Sequence, residues 1–433
     1  MYSRHLYIFT LIIGFLTISC QKLVNDPGSE SVTVEEENGI IYWGGAYDDF
    51  GHAVVQTSDG GYAVVGSQFS TGTQQDLMIV KFNSSIVFDS ANSVTNFGGD
   101  NSTFNNFASD FQQTADGGFV LVGSTYNGTD YDVWVVKYNS VLELTWQDTV
   151  KGTYDDFGNS IYQTQDGNFI VCGNKYDGDD SDIVLWKFTY DGTQTEENLK
   201  STYKVIWSED SLGTPDNGTN DYGHYAHQTD DGGYIIAGSS YSSSNAYDIR
   251  LIKLDALGDT LATNGGFYKT FNNASGYYDD EGIFVQQTSD NGYVVVGNYG
   301  TGGWGQNNAF VLKTDYQGNQ IYLNTYGGAY PDAAKSVRQT MEGGFIIVGN
   351  KYSQQSTMDD VWVIKLTFDG SREWEKTFGG ENKDIGTSVS QTSDGGYIIT
   401  GSTNSYGNQS EIILLKITSD GVIQDFSETS SSN

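Results

Sequence analysis

Three sets of side chains recur along this chain at fixed spacing and could do chemistry. The first is an acid or amide seven residues before a repeated Gln: Asp49, Asn106, Asp156, Asp221, Asp280, Asp332 and Asp384. Gathered on one rim, such carboxylates would collect Ca²⁺ or a basic partner. Asp and Asn in tight turns also bond their own backbone two residues on, and a position repeated in every unit fits the unit's construction better. No segment has the Ca²⁺-loop alternation of acids, Gly and a closing Glu. No cofactor is expected, with Ca²⁺ the one ion left open. The second set is the lysines Lys81, Lys137, Lys187, Lys253, Lys313, Lys365 and Lys416. They could line a channel and hold an anion, but pairing with the repeated Asp residues accounts for them more simply.

The third set is aromatic. Phe69, Tyr126, Tyr176, Tyr241 and Tyr352 each open a loop of small polar residues. One loop departs from this plan as Tyr299-Gly-Thr-Gly-Gly-Trp304-Gly-Gln-Asn-Asn308. Stacked aromatics beside amides suit sugar rings, which makes Trp304, Tyr299, Tyr126, Tyr176, Tyr241 and Tyr352 the ligand-binding candidates. The competing expectation is that the tyrosines pack between neighbouring units. No catalytic residue is assigned. After the leader only His52, His224 and His227 remain. His52 and His224 hold the same place in different units. His224 and His227, three apart in strand-like sequence, should face opposite ways, which is poor for joint metal ligation. Nucleophile-elbow, metalloprotease and phosphate-loop motifs are absent. Two carboxylates could still act as acid and base, a signal of little specificity among 55 acids.

The elements that carry these residues repeat. Gln-Thr-x-Asp-Gly-Gly-Tyr or a near variant begins at Gln56, Gln113, Gln163, Gln228, Gln287, Gln339 and Gln391, roughly 50 to 65 residues apart. β-rich runs flank each copy, as in Ala53-Val-Val-Gln-Thr57 and Tyr62-Ala-Val-Val-Gly66, so the Asp-Gly-Gly joins a hairpin. A third run ends on the repeated Lys, and a fourth resembles Trp374-Glu-Lys-Thr-Phe-Gly-Gly380. Four strands in each of seven units predict an all-β fold, a seven-bladed β-propeller of four-stranded blades. The last copy lacks its Gly-Gly finish, which stands instead at Ile40-Ile-Tyr-Trp-Gly-Gly45. The N- and C-terminal strands should therefore share one blade and close the ring. Long insertions at 193–203 and 214–219 mark either a binding edge or neutral loops.

The repeated Gln-Thr-x-Asp-Gly-Gly-Tyr, Asp-x-Trp-x-x-Lys and Trp-x-x-x-Phe-Gly-Gly pattern resembles the "DGGY" propeller repeats of bacterial surface lipoproteins. That family is sometimes labelled bulb-lectin-like or quinoprotein-like. The resemblance spans about Gly39 to Phe426 and implies a fold and a place, with no catalytic residues to transfer.

Address and charge agree with it. Met1 to His5 is a short basic start, Leu6 to Ile18 is mostly apolar, and Ser19 precedes Cys20. This is a secretion signal resembling a lipobox, which makes Cys20 the lipidation site. The expected organisation is a lipoprotein signal at 1–19, a polar tether at 20–38, the propeller at 39–428 and a disordered tail at 429–433. Cys172, the other cysteine, sits where other copies carry Val or Ala and should be a buried small hydrophobe. The 54 Gly against 3 Pro fit many tight turns. A net charge of −34 argues against nucleic acid and anionic membrane surfaces as partners.

The expected function is a lipid-anchored propeller of the bacterial envelope, in the outer membrane or at the cell surface. It would bind a glycan or protein without catalysis. Alternatives are a carbohydrate-active hydrolase or lyase using channel carboxylates, and a structural subunit of a surface assembly.

Overall fold

The structure, a computed structural model, describes residues 33–424 except 38, 71–73, 90–92, 98–104, 190–201, 209–219, 242–245, 261–264, 273–277, 301–306, 354–357 and 408. Among the described residues every regular element is a strand. They form six four-stranded antiparallel sheets and one of five strands, a ring of seven blades. The inner strand of each blade is one of Asp49–Gln56, Asn106–Gln113, Asp156–Gln163, Asp221–Gln228, Glu281–Gln287, Asp332–Gln339 and Asp384–Gln391.

The seventh blade is closed as its split sequence predicts. Ile40–Gly44 pairs antiparallel with Glu411–Ile417 and supplies the missing outer strand. Beyond it lies a strand that the sequence reading did not contain: Thr33–Glu37 pairs with Ile40–Gly44, and the Tyr42 hydroxyl donates to Glu35 at 2.7 Å. The stretch expected to be tether is therefore sheet from Thr33 to Glu37. Residues 20–32 and the tail at 429–433 lie outside the described residues.

The second and third strands read as unbroken apolar runs because a blade has a neighbour on each face. The seven hydrophobic cores are accordingly the seven seams. Ile41 and Trp43 join Val54 and Val64 across the closing seam, and Cys172 packs with Ala226 and Ile236 across another. Cys172 is fully buried and unoxidised, and burial raises its thiol pKa.

The repeated polar residues hold this frame. In the Asp-Gly-Gly turn, Thr57 donates to Asp59 at 2.5 Å, and Gly60 adopts φ 85°, which favours glycine. The strand-end lysines reach this turn Asp in five blades, as in Lys137–Asp116 at 3.0 Å and Lys313–Asp290 at 2.9 Å. The sixth blade has Glu342 in its turn, and Lys365 pairs with Glu373 instead. On the opposite rim, the Asp seven before each Gln is buried. Asp332 accepts from Gly328 N at 2.6 Å and Tyr352 N at 3.0 Å. Asp49 and Asp384 accept from Gly45 N and Gly380 N in the same way. The Gly-Gly ending one blade thus binds the first carboxylate of the next. These acids build seams, as their regularity suggested.

Candidate functional site: the central channel

Every inner strand carries a β-bulge at the same place. The register slips between Gly51 and Ala53, between Gly223 and Tyr225, and at the equivalent pair in the other five blades. The extra residue breaks strict alternation, so side chains three apart come to one face. Both then line a cavity of ≈660 Å³ on the ring axis. His224 and His227 consequently face the channel together, contrary to their expected opposition.

The bulge residues form an upper tier: His52, Ser109, Asn159, His224, Ile283, Lys335 and Thr387. Three residues on, Val55, Gln112, Tyr162, His227, Gln286, Arg338 and Ser390 form a lower tier. Some members still perform construction. Asn159 Nδ2 donates to Gly223 O at 2.7 Å and Thr387 Oγ1 to Gly51 O at 2.8 Å, each reaching the next blade. Gln112 and Gln286 accept from the backbone N–H of Gln163 and Gln339, both at 2.7 Å. Between the tiers, Ser160 and Ser388 accept from Ala226 N and Val54 N.

Below them the repeated Gln side chains make a complete girdle. Each Oε1 accepts a backbone N–H from the preceding blade's turn, from Ser58 N to Gln113 at 2.8 Å round to Ser393 N to Gln56 at 2.7 Å. Sequence reading used Gln only as a register mark, because its partner lies a blade away.

Against this regular background the irregular residues cluster in the channel. Asp110 takes the place of Ser160 and Ser388 and accepts from Ile161 N at 3.1 Å. Burial, opposed by hydrogen bonds from Ile161 and Phe111 and by the Arg338 charge, pushes its carboxyl up to about 7. The Tyr225 ring stacks on Phe284 at 3.8 Å, and the Arg338 guanidinium lies 4.4 Å from the Phe284 ring centre. Burial drives His52 and His227 down to about 4 and lowers His224. Burial thus disfavours the charged form of all three imidazoles. His52 Nε2 meets Ser67 Oγ at 2.8 Å. Among the described residues no three His, Cys, Asp or Glu side chains converge as a metal-ligand set.

The proposed aromatic site falls elsewhere. Tyr126, Tyr176, Tyr241 and Tyr352 end the second strands of their blades, and Tyr299 stands one residue before the end of its own at Gly300, on the rim that carries the Asp–Gly-Gly contacts. The ring contacts found join each to its own neighbour. Tyr126 tilts against Tyr131 at 5.2 Å and Tyr241 meets Tyr247 edge-on at 5.2 Å. Tyr299 packs against Phe310. Two pairs reach solvent: the exposed Tyr154 and Tyr176, edge-on at 5.5 Å, and the exposed Tyr330 stacked on the half-buried Tyr352 at 4.4 Å. Phe107 and Phe157, on adjacent inner strands, stack at 6.4 Å. Trp304 and Cys20 lie outside the described residues.

No family model and no curated protein matches the chain. Solved structures share its propeller shape. One is a protein of unknown function from Dyadobacter fermentans, 10% identical, covering 86% of this chain and 96% of its own, TM-score 0.45. Another is Sqt1 from Chaetomium thermophilum bound to the N-terminus of ribosomal protein L10, 13% identical, covering 83% and 84%, TM-score 0.48. A third is the GH93 α-L-arabinofuranosidase of Fusarium graminearum with arabinobiose, 13% identical, covering 71% and 92%, TM-score 0.45. Likeness this distant extends to architecture alone.

Proposed function

We propose that this chain is an exported, lipid-anchored propeller that binds a glycan on its tyrosine-bearing rim and does not turn it over. One observation carries the reading: two ring pairs that reach solvent, Tyr154–Tyr176 and Tyr330–Tyr352, stand on the same rim of the ring. Sugar faces stack on such rings while neutral imidazoles, amides and hydroxyls offer hydrogen bonds. The leader, the Cys20 lipobox and the resemblance to surface-lipoprotein repeats support an address at the outer membrane or cell surface.

A hydrolase reading has one observation in its favour, the Asp110 carboxyl held near neutrality within the channel. Against it, that carboxyl is already bonded to Ile161 N and performs the seam function of its serine counterparts. The deciding experiment is a glycan array run beside a hydrolysis screen on the chain from Gln21 onward, which keeps every described strand. Binding without product release supports the proposal. Turnover that D110N abolishes would replace it with the hydrolase.

A further inference from the structure

We infer that the upper tier of the channel seats the carboxylate of a hexuronate residue, with Lys335 as its counter-charge. The inference rests on the glycan reading and sharpens its ligand class.

Lys335 is the only cationic residue at the seven bulge positions, where the others are His52, Ser109, Asn159, His224, Ile283 and Thr387. Seven described lysines, Lys137, Lys187, Lys253, Lys313, Lys351, Lys365 and Lys416, form ion pairs, while Lys81, Lys151, Lys175, Lys269, Lys376 and Lys383 form none among the described residues, so Lys335 is set apart by its place in the channel. Lys335 makes neither a hydrogen bond nor an ion pair among the described residues, although it lines a cavity of ≈660 Å³. Glu281 is close enough to act on its charge, yet that carboxylate accepts from Asn298 Nδ2 at 3.1 Å instead of touching the ammonium. Burial lowers the Lys335 pKa, so a carboxylate that joined the ammonium there would be favoured.

The charge count selects the anion. One free ammonium, with Glu281 nearby and a net charge of −34 around it, matches a single carboxylate. A phosphate dianion or a densely sulfated chain would need more than one free cation, and the other cation lining the cavity, Arg338, is held in the lower tier by the Phe284 ring and by Val337 O. His224, on the next-but-one blade, senses both Lys335 and Glu281 and is positioned to bond a sugar hydroxyl. The cavity lies within the ordinary range for small-ligand sites, about 300–1,000 Å³.

The test is calorimetric titration of the chain from Gln21 onward with short galacturonate, glucuronate and mannuronate oligosaccharides. Each is compared with its carboxyl-reduced neutral counterpart. The expected result is tighter binding of at least one acidic form by about tenfold or more, a preference that weakens with added salt. K335M and K335Q should erase that preference and K335R should restore it, with unchanged unfolding midpoints showing that each variant is folded. Equal affinity for acidic and neutral forms, or a preference that survives K335M and K335Q, overturns the inference and leaves the glycan reading standing. No binding of either form to the unaltered chain removes the glycan reading as well. Lys335-dependent binding of an acidic peptide alone overturns both in favour of a protein partner.

Discussion

The imidazole Nε2 of His227 accepts the backbone N–H of Gln287 at 2.9 Å, while its Nδ1 lies 2.6 Å from Gln228 O. The two contacts fix one neutral tautomer, with the proton on Nδ1. Gln112 and Gln286 offer an amide oxygen to the same N–H in other blades. His227 is therefore a seam residue that happens to be histidine. H227Q should leave stability within about 0.5 kcal/mol, whereas H227A, which orphans a buried N–H, should cost about 1–3 kcal/mol. Urea midpoints at neutral pH check both.

The same bond predicts a pH dependence. Protonation would place a donor on Nε2 against the Gln287 N–H, in keeping with a folded-state pKa of about 4. Between that value and the ordinary 6.5 the unfolded chain holds more protons than the folded one, so stability falls as pH drops through this window. H227Q should reduce that slope by the share of one proton, while His52 and His224, whose pKa values burial also lowers, keep theirs. An unchanged slope in H227Q would show that His227 does not titrate in this way.

Asp110 works in the opposite sense. Its carboxyl is raised from 3.8 to about 7, so across that interval the folded state holds the extra proton and stability falls as pH rises. Ser160 and Ser388 show that a hydroxyl serves the same acceptor function without charge. D110S should stabilise the fold at pH 8, by up to a few kcal/mol, and change little at pH 4. Thermal unfolding at the two pH values decides it. A variant equally destabilised at both would mean that the carboxylate itself is required.

Much of the fold was legible because its signals are local. The Asp-Gly-Gly turn, the Lys closing the third strand and the displaced Trp43-Gly-Gly45 finish each lie within one hairpin or one terminus. Thr33–Glu37 escaped because its acidic sequence, Thr-Val-Glu-Glu-Glu, reads as solvated chain, and its pairing depends on the edge that Ile40–Gly44 presents. The channel escaped for a different reason. Alternation assigns His224 and His227 to opposite faces, and one bulged residue cancels that assignment. Asp110, Lys335 and Arg338 stand out only after the seven inner strands are superposed. The signal was present, since a small or polar residue becoming charged is visible in the aligned copies.

Ring closure gives a further prediction. Gln56 bonds Ser393 N across the seam where the chain's ends meet, and Ile41 and Trp43 fill the core beside it. Q56A alone should cost about 0.5–1.5 kcal/mol, comparable with Q228A at a continuous seam. Removing residues through Gly45 is another matter. It strips a fully buried Trp43 and leaves Glu411–Ile417 as an open edge. The truncated chain should self-associate in size-exclusion chromatography and lose a cooperative transition. A monomeric, cooperatively folding product would show that three strands suffice for the seventh blade.

The rim tyrosines separate packing from binding. Tyr330 is 43% exposed and stacks on Tyr352, so its outer face is available to a ligand. Tyr126, by contrast, sits in a cluster with Tyr131, which also contacts Phe107 and Phe157. Y330A should therefore weaken glycan affinity by roughly threefold to tenfold, the worth of one aromatic contact, with little change in unfolding midpoint. Y126A should do the reverse, lowering the midpoint and sparing affinity. If Y330A lowers the midpoint and leaves affinity intact, the open pairs are packing contacts like the rest, and the ligand belongs to the channel alone.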